Sequence, residues 1–180
     1  EFSWGGIGFG KIALQADETD QTYAMRTLIK SKGLASIFVK HMSDTKMDGT
    51  KSGAIYLPQN YEADFQTRNK KKHIKITYDG AGNLKEEVSV PEDTDRPKVT
   101  DAERAGAHDP LSLVFEIRRK LYDALAASEK TFKVKMYDGR RLTQVQVDIV
   151  DFAEREIAGE NKKLVQVIAT RSALSGYTEK

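Results

Sequence analysis

From Phe132 to Met136, and again from Val145 to Ile149, apolar and polar residues take strict turns along the chain. Phe132, Val134 and Met136 alternate with Lys133 and Lys135, while Val145, Val147 and Ile149 alternate with Gln144, Gln146 and Asp148. Successive strand side chains point to opposite faces, so each segment predicts a half-buried antiparallel strand. Asp138-Gly139 between them supplies the positive φ angles of a tight turn and joins the two into a hairpin.

The same pattern recurs upstream. Ile74, Ile76 and Tyr78 share one face, Asp79-Gly80-Ala81-Gly82-Asn83 turns the chain, and Val88 and Val90 return. Tyr61, Ala63 and Phe65 share another face, with the basic run Arg68–Lys72 marking the next reversal. Ile12, Leu14 and Ala16 predict one more apolar face, and Tyr23, Met25, Thr27 and Ile29 another. With 40–51, 54–57 and 162–170 added, the count reaches roughly ten strands, more than a small flat sheet holds. The expected fold is mainly β: a curved antiparallel sheet or open β-barrel with one amphipathic helix packed on or in it.

That helix is predicted over 109–127. Asp109 is a good N-cap, Pro110 suits the first helical position, and Leu113, Ile117 and Leu121 form a stripe widened by Val114, Tyr122 and Leu125. Residues 91–108 hold Pro91, Pro97, many charges and few large apolar side chains, which predicts an exposed polar connection. The 180 residues read as a single domain.

Composition narrows the function. Lys plus Arg number 29 against 27 Asp plus Glu, a near balance that argues against a nucleic-acid binder. With no cysteine, disulfide scaffolds, thiol catalysis, cysteine-held zinc and iron–sulfur clusters are excluded. No stretch approaches the roughly 20 apolar residues of a membrane helix. Gly5-Gly6-Ile7-Gly8-Phe9-Gly10 lacks the Lys-Ser/Thr of a phosphate loop and leads into a strand, so it reads as a strand bend. His41, His73 and His108 stand apart with no metal-binding spacing, and no Gly-x-Ser-x-Gly occurs. The sequence therefore assigns no catalytic residue, metal ligand or cofactor.

Two sets of side chains remain. An open barrel has room for an apolar ligand, and Trp4, Phe9, Phe38, Phe65 and Phe115 are the aromatics to line it. Arg68, Lys70, Lys71 and Lys72 form the one dense basic patch, suited to an anionic headgroup or simply to blunting a sheet edge.

Trp4-Gly5-Gly6-Ile7-Gly8-Phe9-Gly10, the helix start Asp109-Pro110-Leu111-Ser112 running on to Ile117-Arg118-Arg119, and the Tyr137-Asp138-Gly139-Arg140-Arg141 hairpin follow one another along nearly the whole chain. In that order they resemble a family of bacterial envelope proteins catalogued as domain of unknown function 3108: its tryptophan–glycine opening, central helix and late hairpin. The resemblance implies an exported, periplasmic protein whose signal peptide precedes the first strand, and a start at Glu1 fits its removal or a trimmed tag. It brings no catalytic residues, and the polar connection before Asp109 departs from its pattern. The reading is a non-enzymatic envelope protein that binds a lipid or other apolar ligand. A partner-binding structural protein is the alternative, and an envelope-polymer hydrolase a third. The hydrolase requires a polar cleft with paired acids or a histidine beside a carboxylate.

Overall fold

The computed structural model describes residues 2–4, 7–31 and 41–178. Seven strands run as an antiparallel meander in chain order: β1 (Phe2–Trp4), β2 (Ile7–Glu18), β3 (Thr22–Ser31), β4 (Met42–Ser52), β5 (Ile55–Gln66), β6 (Lys71–Tyr78) and β7 (Leu84–Val90). A second sheet orders its strands β11 (Glu160–Ser175), β10 (Leu142–Ile157), β9 (Thr131–Tyr137) and the two-residue β8 (Ala107–His108), which runs parallel to β9. The expected strand content is present, as is the antiparallel pairing. Of the two forms expected, the curved sheet fits: among the described residues the strands divide between two sheets and neither closes. The chain leaves β7 through the 91–130 excursion, and β9 then pairs with β10 instead of adding to the edge of β7.

The helix α2 (Ser112–Ala126) sits between the two sheets. Its Phe115 enters the larger core beside Tyr23, Tyr56, Tyr61, Ile74 and Ile76, while Leu113 and Ile117 pack on Val134, Val145 and Val147. Alternation explains the sheet face: Ile74, Ile76 and Tyr78 are all buried on β6, as are Tyr61 and Ala63 on β5. The stripe expected on the helix is shifted. Val114 and Tyr122 are exposed, and Phe115 and Glu116 are buried in their place. Two sheets, not one, set which sides of the helix are covered.

The Asp138-Gly139 hairpin forms as expected. Gly139 has φ +84°, and a Cβ there would stand 2.4 Å from Ile74 Cγ2, so the turn presses directly onto β6. Residues 91–108 are mostly exposed, yet they carry structure. The short helix α1 (Asp101–Arg104) is closed by a Thr100–Glu103 capping box, and Val99 and Ala107 pack against the core.

One apolar face read from alternation is not covered. Ile12 and Leu14 on β2 are 54% and 63% exposed. The β10–β11 hairpin also shows apolar side chains to solvent: Val150, Phe152 and Ile157 beyond the span paired to β9, and Ile168 opposite Asp148 at its end. Alternation reports that a strand has an apolar side; what lies against it is a tertiary matter.

Candidate functional site

One end of the seven-stranded sheet gathers several residues singled out from the sequence. There β4 begins, β5 ends, β6 begins and β7 ends, with Met42 opposite Gln66, Phe65 opposite Lys72, Gln66 opposite Lys71 and His73 opposite Val90. The register brings Phe65, Lys71 and Lys72 into one open cleft of about 510 Å³, with Met42, Val90 and Pro91 adding apolar surface. Phe65 is half-buried and packed on the core. Lys71 is exposed at the rim. Lys72 donates to the Pro91 carbonyl and lies 3.6 Å from the Asp93 carboxylate.

The other expected positions are distributed. Arg68 and Lys70 lie on the exposed turn closed by the Thr67 N–H to Lys70 carbonyl bond, outside the lining of this cleft. Phe115 is a core side chain, its ring centroid 4.8 Å from that of Tyr23 and 5.3 Å from that of Tyr56. Trp4 and Phe9 are placed as backbone positions on β1 and β2. Phe38 lies outside the described residues.

Asp44, Asp64 and His73 line the same cleft, as part of a cross-strand row that the sequence did not reveal. Asp64 on β5 faces His73 on β6, and His73 Nδ1 lies 2.9 Å from Asp64 Oδ1. Glu62, two residues along, joins them in the one set of three among the described residues that could hold a metal ion, its ligand atoms within 4.8 Å of one another. Glu62 already has a cationic neighbour, Lys46 at 3.0 Å, and next to the set Arg26 takes Asp44 through two hydrogen bonds. A histidine with a carboxylate is what the hydrolase alternative requires. Here the pair lines the cleft, open to solvent, and forms one rung of a charge ladder across β3 to β6. Its sequence signal was the short Thr67–Lys70 turn, which fixes Asp64 opposite His73 once the hairpin register is counted.

Beneath the helix lies a buried polar cluster. Asp109 is fully buried; its Oδ1 accepts the backbone N–H groups of Leu111 and Ser112, at 3.0 and 2.9 Å. It therefore caps α2 as the sequence predicts. Burial pushes its carboxyl above the ordinary aspartate range, against the pull of those helix N–H donors. Burial likewise raises the Tyr78 and Tyr23 hydroxyls. Ser112 neighbours both Asp109 and Tyr23, yet Ser112 Oγ and Tyr23 Oη are buried without a partner at hydrogen-bonding geometry. At the helix flank, Glu18 accepts from Lys51 and Arg118, each at 2.6 Å, and from Tyr56 Oη at 2.7 Å. Hydrogen bonds from Lys51 and Arg118 hold its carboxyl at about 2.

A second cleft, of about 500 Å³, opens between β7, the 92–99 segment and the β9–β10 turn. Glu87 is held there by Arg104 at 2.8 Å and Tyr137 Oη at 2.7 Å, and Asp93 by Arg140 Nη1 at 3.2 Å. Its paired acids have cationic or phenolic partners, and no histidine lines it. Nothing in the chain's patterning signalled this cleft, because residues 92–99 carry no periodic pattern.

These features define a mainly β protein: an antiparallel meander and a smaller sheet clasping one helix, with an amphipathic cleft at a sheet end and a polar cleft beneath a connecting segment. The chain belongs to the family described as protein of unknown function DUF3108, whose model matches residues 1–171. Neither a curated protein nor a solved structure matches it. Among the described residues no helix is long and apolar enough to cross a membrane.

Proposed function

We propose that this chain is an exported, non-enzymatic protein of the bacterial cell envelope, acting in the periplasm and binding an amphipathic ligand with an anionic headgroup. The observation that carries this reading is the meeting of Phe65 with Lys71 and Lys72 in one cleft of about 510 Å³ at the end of the sheet. Apolar surface there comes from Phe65, Met42, Val90 and Pro91; the lining acids Asp44 and Asp64 are taken by Arg26 and His73, and Lys71 stands exposed at the rim to meet the negative head of an acyl chain. The volume falls within the usual range of small-molecule sites. The reading as non-enzymatic takes the His73–Asp64 pair, which lines this cleft, as one rung of a surface charge ladder beside Lys46–Glu62 and Arg26–Asp44.

The test is a titration of the purified chain with a fatty acid and with the corresponding fatty alcohol, followed by tryptophan-independent calorimetry. The acid binds more tightly than the alcohol; Lys71→Glu removes that preference, and Phe65→Asp weakens both. Equal binding of acid and alcohol, or indifference to both substitutions, overturns the reading.

A partner-binding role is the second reading, and a separate observation favours it. Val150, Phe152, Ile157 and Ile168 are exposed along a hairpin whose β11 edge is unpaired among the described residues, the surface that strand addition by another protein uses. Crosslinking from position 152 in cells tests it; a single recurrent envelope partner supports it, and none removes it.

A further inference from the structure

The cleft beneath the 91–108 connection holds a charge and hydrogen-bond imbalance that its own residues do not resolve. Five cations and four carboxylates line it: Lys85, Arg96, Lys98, Arg104 and Arg140 against Glu86, Glu87, Glu92 and Asp93. Three pairs are made internally, Arg104 with Glu87, Arg140 with Asp93, and Lys98 with Glu92 at 3.1 Å. Arg96 meets only the Gly176 carbonyl, at 3.5 Å, and has no carboxylate among the described residues. Two of its lining residues each carry a buried atom, Ser89 Oγ and Arg140 Nε, that has no hydrogen-bond partner. Arg140 Nη1 is occupied by Asp93, so the guanidinium is fixed in place with its Nε–H donor unused.

An unused guanidinium N–H and a hydroxyl, buried just behind two residues that line one cleft with an excess of one positive charge, suit an acceptor that is anionic and singly charged. We propose that this cleft binds the carboxylate of a small polar ligand, which accepts from Arg140 Nε and Ser89 Oγ with Arg96 supplying attraction. Four carboxylates on the same wall disfavour a phosphate dianion, whereas one negative charge brings the lining to neutrality. The cleft is larger than a carboxylate alone, so the remainder of the ligand lies along the polar wall. This site is separate from the amphipathic cleft of Phe65 and does not depend on it.

The experiment follows the Arg140 Nε–Hε resonance by proton–nitrogen NMR on the full chain, assigned by its disappearance in Arg140→Lys. Acetate, N-acetyl-alanyl-alanine, the same peptide with an amidated C-terminus, and inorganic phosphate are titrated in turn. The proposal predicts a saturable shift with the free-carboxylate probes, weakened about tenfold or more in Ser89→Ala, the scale of one hydrogen bond to a charged group. Acetate binding as well as the peptide identifies the carboxylate alone as the determinant; tighter binding of the peptide places peptide-borne carboxylates among the ligands. No saturable shift, an equal shift with the amide, an unchanged affinity in Ser89→Ala, or tighter binding of phosphate each overturns it. A resonance unmoved by every probe assigns the two atoms to ordered water.

Discussion

Tyr78 and Asp109 grip each other twice: the tyrosine hydroxyl donates to Asp109 Oδ2 at 3.2 Å and accepts the Asp109 backbone N–H at 3.1 Å. The pair fixes the start of the central helix to the floor of the large sheet. Tyr78→Phe leaves a buried N–H and a carboxylate oxygen without that partner, so it costs about 2 kcal/mol of stability, the usual penalty for orphaning buried polar groups. Urea unfolding of the two proteins measures it. A cost near zero would show that the contact is not made in solution.

The buried Asp109 carboxyl also gives the protein a definite response to pH. Its folded pKa is raised above the ordinary 3.8 by burial, so the native state holds a proton that the unfolded chain has released. Stability is therefore greatest in acid from this group and falls as pH rises from about 3.8 to the folded pKa, staying level above it. Asp109→Asn keeps a capping oxygen but cannot titrate. The wild type should lose stability relative to Asp109→Asn as pH climbs through that window, seen in urea midpoints measured at successive pH values.

Glu18 acts in the opposite direction. Lys51, Arg118 and Tyr56 hold its carboxyl at about 2, below the ordinary 4.5. The stabilisation it gives is complete above 4.5 and is lost as pH falls towards about 2. Comparing thermal melts of the wild type and Glu18→Gln, the difference should be constant at neutral pH and close through that acid window. A difference independent of pH would contradict the contact of Glu18 with the helix.

Gly139 is required twice over, by its φ of +84° and by the 2.4 Å approach a Cβ would make to Ile74 Cγ2. Gly139→Ala is expected to cost about 1–3 kcal/mol from backbone strain alone, with the contact adding to it. Denaturant unfolding reads the cost, and a neutral substitution would show that the turn stands away from β6.

What the sequence disclosed and what it withheld divide along physical lines. The hairpin at Asp138-Gly139, the buried faces at Tyr61–Ala63 and Ile74–Tyr78, and the Asp109 cap were all legible, because period-two alternation and capping chemistry are local. The division into two sheets was not, since which strand β9 joins depends on contacts far along the chain. Nor was the exposure of Ile12 and Leu14, whose alternation matches that of buried strands. Of the two clefts, Phe65, Lys71 and Lys72 were visible as residue types, and the register that unites them could be counted from the turn. Ser89 and Arg140 were invisible, because what distinguishes them is a partner they lack after folding.

The central claim is that an amphipathic ligand with an anionic head occupies the cleft at Phe65, Lys71 and Lys72. Its most direct test is native mass spectrometry of the protein purified from bacterial periplasm, with organic extraction and lipid analysis of the same sample. The account predicts an acyl-bearing adduct at near-unit stoichiometry that is lost from the Phe65→Asp, Lys71→Glu double variant. A clean unliganded mass from wild-type protein, or an adduct indifferent to those substitutions, would contradict it.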